Sequence, residues 1–346
     1  MRALRLTAFA LLLAATAAPL AAGVDEWTRI GRSARIVNLE IAPGAPAILF
    51  AVAPDIGLFR RSQGQGSRPA FRRPPLDYLP GGLAIDPVDP ANVYVGLSEK
   101  IARSTDSGST WTIHSGLTCI LVQWIEVDPR QPSTLYAGGS LSPSCGFPPS
   151  LCLAWKSTDS GLAWSCLREG LRQVGPGIAV SYPRVSAFAV VPQDSSLYAV
   201  VDSALYRSTD GGVTWSEVSR VTTTVFDFEI DPGNPSILYV GGGTGILRST
   251  NGGRTWKLLR QGFPRRWDPA VSALAIDPAR TTTLYAATLR GEVYKSEDSG
   301  ETWVWVRARP GTHTTAFDVE VDPFDLSTLY VGTERGVMAL TQSDRR

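Results

Sequence analysis

The chain has 346 residues, 43% of them hydrophobic, and its 33 Lys and Arg nearly balance its 32 Asp and Glu. This composition excludes disordered and collagen-like proteins. The balanced charge also excludes a nucleic-acid-binding protein, because affinity for phosphates needs clustered Lys and Arg, and the sequence contains no such run.

The N-terminus has the organisation of a secretory signal peptide. Arg2 and Arg5 precede an apolar stretch over residues 6–18, and small residues follow. The apolar stretch is shorter than the roughly 20 residues needed to cross a bilayer. We therefore predict that residues 1–23 are a signal peptide, that residues 24–346 form one domain, and that the protein is periplasmic or secreted with no membrane span.

A short motif, Ser-x-Asp-x-Gly-x-Thr-Trp, recurs five times along the chain. The acidic position of the motif is occupied by Asp106, Asp159, Asp210, Asn251 and Asp298, and a worn copy begins at Ser62. Asp and Ser side chains can accept hydrogen bonds from turn amides, Gly permits positive φ, and Trp can fill the space between neighbouring units. Each motif therefore predicts a tight hairpin that is followed by a Trp-led strand.

A second unit recurs seven times upstream of these motifs. It consists of an alternating apolar run, usually Asp-Pro, and then an apolar–aromatic pair. The clear copies contain Asp86, Asp128, Asp231, Asp277 and Asp322, and degenerate copies contain Pro43 and Pro192. Together the two units predict four short strands per repeat, which is the pattern of a propeller blade. The predicted fold is all-β, a seven-bladed β-propeller of four-stranded antiparallel blades.

The last repeat has no motif and no Trp of its own to form an outer strand. Residues 26–30, Glu-Trp-Thr-Arg-Ile, match the Trp-led strands of the other repeats. We therefore predict that this N-terminal strand completes the last blade. Such closure removes the free sheet edges that would otherwise pair with other chains.

These motifs resemble those of the Asp-box, or BNR-repeat, propellers, and the resemblance covers essentially the whole chain after the signal peptide. In that family the boxes lie away from the ligand face, which implies a structural role for them here. Length, blade count, export signal and box spacing are similar to the photosystem II assembly and stability factor family and its relatives in non-photosynthetic bacteria. That resemblance implies a non-enzymatic scaffold, and we expect it to bind a protein or glycan partner. We also expect a monomer without cofactors.

A glycoside hydrolase is the alternative, because the same superfamily includes enzymes. Arg35, in Ala-Arg-Ile-Val, partly matches the Arg-Ile-Pro motif of sialidases, which clamp a carboxylate with three Arg, but the Pro is absent. Xyloglucan-cleaving relatives place a catalytic Asp pair between two seven-bladed propellers, and this chain has the length of one. No catalytic residue is therefore assigned.

The loops that lead into the inner strands are expected to converge on one face of the ring. Arg and aromatic residues commonly anchor partners at interfaces, and the alternative is that these are solvated loop residues. The candidate binding residues are Arg35, Tyr78, Tyr182, Arg184, Arg265, Arg266, Trp267, Asp268 and His313.

Carboxylates also recur on the predicted inner strands. One position is occupied in turn by Glu40, Ala84, Glu126, Ala189, Glu229, Ala275 and Glu320, and Asp227 and Asp318 stand two residues before the last two Glu. They either hold a cation in the channel or accept hydrogen bonds from the neighbouring blade. The sequence predicts no other metal site.

The four cysteines lie close together in the third repeat, and an oxidising compartment favours disulfides. The strand placement favours Cys119–Cys145 and Cys152–Cys166. The rival set leaves Cys119 and Cys166 on strands roughly 14 Å apart, whereas a disulfide bridges Cα atoms only up to about 7 Å. Metal binding by these cysteines is a minor alternative.

Overall fold

The computed structural model describes most of the chain after the predicted signal peptide. The described residues are 27–30, 33–42, 48–62, 81–142, 145, 152–171, 184–264, 269–306, 310 and 314–342. Within these ranges every regular element is a β-strand, and none is a helix that could cross a membrane.

The strands form seven antiparallel sheets, which we number as blades 1–7. Blade 1 consists of β2 (Asn38–Ala42), β3 (Ile48–Ala53) and β4 (Gly57–Ser62); blade 2 of β5 (Leu83–Ile85), β6 (Val93–Gly96), β7 (Lys100–Ser104) and β8 (Thr112–Ser115); blade 3 of β9 (Ile120–Val127), β10 (Leu135–Leu141), β11 (Ala154–Ser157) and β12 (Ser165–Cys166); blade 4 of β13 (Val185–Val190), β14 (Leu197–Val201), β15 (Ala204–Ser208) and β16 (Ser216–Arg220). Blade 5 consists of β17 (Val225–Ile230), β18 (Leu238–Gly242), β19 (Gly245–Ser249) and β20 (Lys257–Leu259); blade 6 of β21 (Val271–Ile276), β22 (Leu284–Thr288), β23 (Val293–Ser296) and β24 (Val304–Trp305); blade 7 of β25 (Ala316–Val321), β26 (Thr328–Thr333), β27 (Gly336–Thr341) and β1 (Thr28–Ile30).

The blades form a closed ring. Each innermost strand contacts the innermost strands of the two neighbouring blades, and β25 of blade 7 contacts β2 of blade 1. The predicted seven-bladed β-propeller is therefore confirmed.

The N-terminal strand completes the last blade as predicted. In β1, Arg29 pairs with Met338 of β27, and Ile30 pairs with Val337. Trp27, just before β1, packs against the buried core between blades 6 and 7. Because β1 and β27 come from opposite ends of the chain, the ring is closed by non-covalent strand pairing within blade 7.

In blade 1 the structure describes three strands, and the residues that follow β4, 63–80, lie outside the described ranges. The register of β4 differs by one residue from the expected box start at Ser62. Leu49 pairs with Arg61, whereas the equivalent Leu135 of blade 3 pairs with the box serine Ser157. Arg61 therefore occupies the box-serine position of blade 1.

The complete boxes share one set of hydrogen bonds, shown here for blade 4. Ser208 Oγ donates to Asp210 Oδ1 at 2.7 Å and accepts from Gly212 N at 2.8 Å. Asp210 also accepts from Thr214 N at 2.9 Å. Bonds to the Thr214 hydroxyl and amide stabilise the ionised carboxylate and lower the pKa of Asp210 to about 2. Asn251 accepts the corresponding amide bond in blade 5, so the turn does not require a charge.

Aromatic side chains fill the interfaces between blades. Each complete box contributes a Trp toward the preceding blade, as Trp303 does toward Leu259 and Phe263. The second strand contributes an aromatic residue toward the following blade, where Tyr239 O–H donates to the Ser299 carbonyl at 3.3 Å. Burial raises the pKa of Tyr239 to about 12. The interfaces are thus packed and also hydrogen-bonded.

Two disulfides lie in blade 3, with the pairing that strand placement favoured. Cys119, just before β9, is bonded to Cys145 with a Cα–Cα distance of 5.4 Å. Cys152 is bonded to Cys166 with a Cα–Cα distance of 5.9 Å. The second bond fastens β12, which has only two residues, to the segment that leads into β11.

Candidate functional site

The antiparallel order of the strands separates two faces of the ring. The upper face carries the connections that lead into the inner strands and the hairpins between second and third strands. The Asp-box face carries the Asp-Pro turns and the boxes, which contact each other, as where Ser160 N donates to the Ser133 carbonyl at 2.8 Å. The boxes thus lie on the face opposite the described ends of β2 and β13 that Arg35 and Arg184 precede.

Two of the nine candidate binding residues lie within the described residues. Arg35, which is exposed, precedes β2, and its guanidinium lies over the Phe317 ring at 4.9 Å from the centroid. Arg184 precedes β13, and its backbone N donates to Asp202 Oδ1 at 3.4 Å. These two arginines lead into blades 1 and 4, so the ring separates them. Seven candidates lie outside the described residues: Tyr78, Tyr182, Arg265, Arg266, Trp267, Asp268 and His313.

Bulges near the upper ends of five inner strands were not anticipated from the sequence. In each of them one extra residue interrupts the pairing with the second strand. A bulge re-aims the side chain it carries. The extra residues are Gln123, Ser186, Phe226, Ser272 and Phe317.

The bulges place partly exposed aromatic rings on the inner strands next to the upper face. Phe226 and Phe317 are half-buried, and Arg35 adds a charge over the second ring. In contrast, the Ser272 hydroxyl is buried and lies 2.6 Å from the Ala316 carbonyl of the next blade, to which it donates. The upper face therefore offers apolar and cationic groups on a rigid scaffold of inner strands.

The aspartates that follow Phe226 and Phe317 connect neighbouring blades. Asp227 Oδ2 accepts from Leu274 N of blade 6 at 2.6 Å, and Asp318 Oδ2 accepts from Leu39 N of blade 1 at 2.6 Å. Both aspartates are 1% exposed. For these two carboxylates, the structure supports hydrogen bonding to the neighbouring blade rather than cation binding.

The recurring glutamates face the neighbouring blade as well. Each inner-strand position of this set pairs with the aromatic residue of the second strand, for example Glu229 with Tyr239. Glu40, Glu126, Glu229 and Glu320 are all buried. Among the described residues, no group of three or more His, Cys, Asp or Glu is arranged to hold a metal ion.

The sequence around two of the bulges carries a signal of their presence. Val225-Phe226-Asp227 and Ala316-Phe317-Asp318 place an extra residue between the first apolar residue and the alternating run. A period-two pattern that slips by one residue is the expected mark of a bulge. The slip lies at the end of the strand away from the Asp-Pro turn, where too few residues remain to display the shifted alternation.

Comparison with curated proteins identifies distant enzyme relatives. A xyloglucanase of Paenibacillus is 24% identical over 335 residues, which cover 72% of this chain and 32% of that protein. A xyloglucanase of Acetivibrio thermocellus is 30% identical over 172 residues, which cover 39% of this chain and 19% of that protein. The chain thus spans a third or less of the length of these relatives, and no family model matches it.

Comparison with solved structures identifies propellers of two kinds. A structure of YCF48 bound to a D1 peptide has a TM-score of 0.66 at 15% identity and covers 92% of this chain and 97% of that one. YCF48 from Cyanidioschyzon merolae has a TM-score of 0.67 at 12% identity, covering 92% and 99%. A GH74 xyloglucanase from Xanthomonas campestris has a TM-score of 0.68 at 18% identity, covering 91% and 53%. At these identities the likeness establishes the fold: the chain is a seven-bladed β-propeller, a fold shared by YCF48 and by GH74 enzymes.

Proposed function

We propose that the protein is an exported, non-enzymatic scaffold that binds a partner protein or glycan through the upper face of the ring. The observation that carries this proposal is the set of inner-strand bulges, which present Phe226 in blade 5 and Phe317 in blade 7, the latter beneath the Arg35 guanidinium. Rigid aromatic and Arg side chains are the groups that most often anchor binding interfaces. The partner would be held by these groups without a chemical step.

The similarity to YCF48 supports a binding role. One of the similar structures holds a D1 peptide, and each YCF48 chain is matched over nearly its whole length. The two disulfides support export, since such bonds persist in oxidising compartments. The signal-peptide pattern of residues 1–23 points to the same compartment.

The second candidate is a glycoside hydrolase, favoured by the sequence relatives named as xyloglucanases. Such an enzyme needs two carboxyl groups free to act on the substrate, at separations of roughly 5–10 Å. The inner-strand aspartates Asp227 and Asp318 do not suit this role, because each accepts two backbone N–H groups and is buried. This chain also covers only 53% and 52% of the two matching GH74 structures.

A pull-down from the native envelope fraction, followed by binding measurements on the purified partner, tests the scaffold. The Arg35→Glu variant should lose most of the binding, because it reverses a charge on the upper face. Arg254→Glu is the matched control, since Arg254 is exposed on the Asp-box face. Equal binding by both variants would show that the partner uses another surface.

Activity assays separate the two candidates. Purified protein should release no product from xyloglucan, other plant polysaccharides or fluorogenic sialosides. Measurable turnover that Arg35→Ala abolishes would replace the scaffold with the hydrolase, because a residue on the upper face would then be needed for catalysis.

A further inference from the structure

The box of blade 5 carries an amide where the other complete boxes carry a carboxylate. Asn251 stands at the acidic position, and Gly252 and Gly253 follow it. The sequence has four Asn residues, and the other three precede Leu, Val and Pro. The backbone N of a following residue attacks an Asn side chain most readily when that residue is Gly, because no side chain hinders the approach and φ and ψ are free. Asn251 is thus the one Asn in the sequence whose neighbour favours deamidation.

The closed box engages both reacting groups in hydrogen bonds. Gly252 N donates to the Ser236 carbonyl at 2.9 Å, and this bond must break before the nitrogen can attack. The Asn251 carboxamide is held at both of its ends. Its Oδ1 accepts from Ser249 Oγ and from Thr255 N, each at 3.0 Å, and its Nδ2 donates to Thr255 Oγ1 at 2.9 Å. While these bonds are in place, the Gly252 nitrogen is not free to react with the side chain.

We propose that Asn251–Gly252 is a deamidation site that the blade 5 box controls. When the box opens, the Gly252 nitrogen loses its proton and attacks the side-chain carbonyl carbon of Asn251. The Cγ–Nδ2 bond breaks, and the amide group leaves with that proton as ammonia, so that a succinimide ring remains. Water then opens the ring at either carbonyl to give aspartate or isoaspartate, and no oxidant, reductant or cofactor is needed. This site lies on the Asp-box face, so the proposal goes beyond the scaffold function above.

The two products should differ in how well they fit the turn. Aspartate recreates the box of the other blades, as in blade 4, where the Thr214 hydroxyl donates to Asp210 Oδ2 at 2.6 Å. The equivalent Thr255 hydroxyl accepts from Asn251 Nδ2 and would only have to turn round. Isoaspartate lengthens the backbone by a carbon and shortens the side chain, so the carboxylate no longer reaches its partners. The reaction therefore either restores the common box with an added negative charge or leaves the box open.

Peptide mapping by mass spectrometry measures the reaction after incubation of the purified protein at mildly alkaline pH. Asn251 should deamidate at least about tenfold more slowly in the folded protein than in the guanidinium-unfolded chain, because the rate follows the fraction of open boxes. Asn92, which precedes Val93, is the internal control and should remain unchanged in both states. A protease that cleaves at aspartate but not at isoaspartate separates the two products.

A pair of serine variants tests whether this box controls the reaction. Ser249→Ala removes the hydroxyl that donates to Asn251 Oδ1 and accepts from Gly253 N at 2.9 Å. It should speed deamidation of the folded protein by about tenfold, because the box opens more often. Ser104→Ala is the matched control, since Ser104 makes the same two bonds in blade 2, which does not adjoin blade 5. The control should leave the rate at Asn251 unchanged.

Gly252→Ser separates the chemistry from the turn. Gly252 has a φ of 68°, and a Cβ there would lie 3.3 Å from the Tyr198 hydroxyl. Three other boxes accommodate Ser at this place with φ between 54° and 59°, so the box should still close with little change in Tm. The added side chain should slow deamidation in the folded and the unfolded chain. The three serines are Ser107, Ser160 and Ser299.

Three results would overturn the proposal. Equal rates in the folded and unfolded chains would mean that the closed box does not protect Asn251. No acceleration in Ser249→Ala, or equal acceleration in Ser104→Ala, would assign the reaction to something other than opening of this box. Undiminished deamidation of unfolded Gly252→Ser would exclude attack by this backbone nitrogen. None of these results touches the upper face, where the Arg35→Glu pull-down decides the scaffold function independently.

Discussion

The blade 5–blade 6 and blade 7–blade 1 interfaces join equivalent strands but are held differently. Between blades 5 and 6, Trp303 is 2% exposed and lies 5.6 Å from the Phe263 ring, and Tyr239 donates to the following box. Between blades 7 and 1 there is a cavity, and Tyr330 O–H instead donates to Asp322 of its own blade at 3.2 Å.

The difference shows which interactions a blade interface requires. Both interfaces contain a hydrogen bond between their innermost strands. Leu274 N donates to Asp227 in one interface, and Leu39 N donates to Asp318 in the other. At the outer half of the blade 5–blade 6 interface, a complete box adds Trp303 to the packing. The inner-strand hydrogen bond is therefore common to both interfaces, whereas a complete box adds packing at the periphery.

Removing the box tryptophan should have the largest effect. Trp303→Ala is expected to lower the free energy of unfolding by about 3–5 kcal/mol, because it empties a buried site between blades 5 and 6. Trp305→Ala is the matched control, since Trp305 is 47% exposed on the neighbouring strand. Chemical denaturation of both variants measures the difference. Equal losses of unfolding free energy would show that packing of Trp303 does not stabilise the interface.

The hydrogen bond between the innermost strands should contribute a similar free energy at both interfaces. Asp227→Ala and Asp318→Ala should each lower the free energy of unfolding by about 1–3 kcal/mol, because each leaves buried N–H groups without an acceptor. Urea unfolding compares the two variants. If Asp318→Ala left the free energy of unfolding unchanged, the hydrogen bond between the inner strands would not help to join blades 7 and 1.

An ion-pair cluster at the blade 5–blade 6 interface should contribute less to the free energy of unfolding. Glu301 accepts from Lys257 Nζ at 2.6 Å and from Arg248 at 3.3 Å. Since the Glu301 side chain is 44% exposed, Glu301→Gln should cost only about 0.2–1 kcal/mol. The cost should shrink in thermal melts at high salt, and a cost independent of salt would contradict an ionic origin.

The charge of a box carboxylate should have the smallest effect on stability. It should be seen as a fall in Tm when the carboxylate is protonated in acid. The pKa of Asp210 is lowered to about 2 by its bonds to Thr214, below the roughly 3.9 of an unfolded Asp. The ionised group therefore adds stability above about pH 4, and that contribution is lost as pH falls through about 2.

The Asp210→Asn variant tests this pH effect, and Asn251 shows that Asn fits the turn. Between pH 4 and 2 the Tm of the native protein should fall more steeply than that of Asp210→Asn. Asn251→Asp, the reverse change, should steepen the fall. Parallel curves for all three proteins would contradict the assignment of the pKa shift to the box.

Local sequence determined much of the fold. The box motif and the Asp-Pro turn encode their own hydrogen bonds within a few residues, so seven blades and a Trp-led closing strand could be predicted. The disulfide pairing followed from strand spacing, since Cα atoms must come close. These features depend on contacts between residues near in sequence, or on a repeat that the sequence displays openly.

Tertiary structure alone decided the features on which function depends. The bulges that carry Phe226 and Phe317 were not predicted, because a one-residue slip leaves little trace in an alternating pattern. The cavity between blades 7 and 1 is lined by Ile30 and Val337, which are far apart in sequence and meet blade 1 through the closed ring. The sequence specifies what each blade contains, whereas contacts between residues that are far apart in sequence determine which groups remain exposed at the surface.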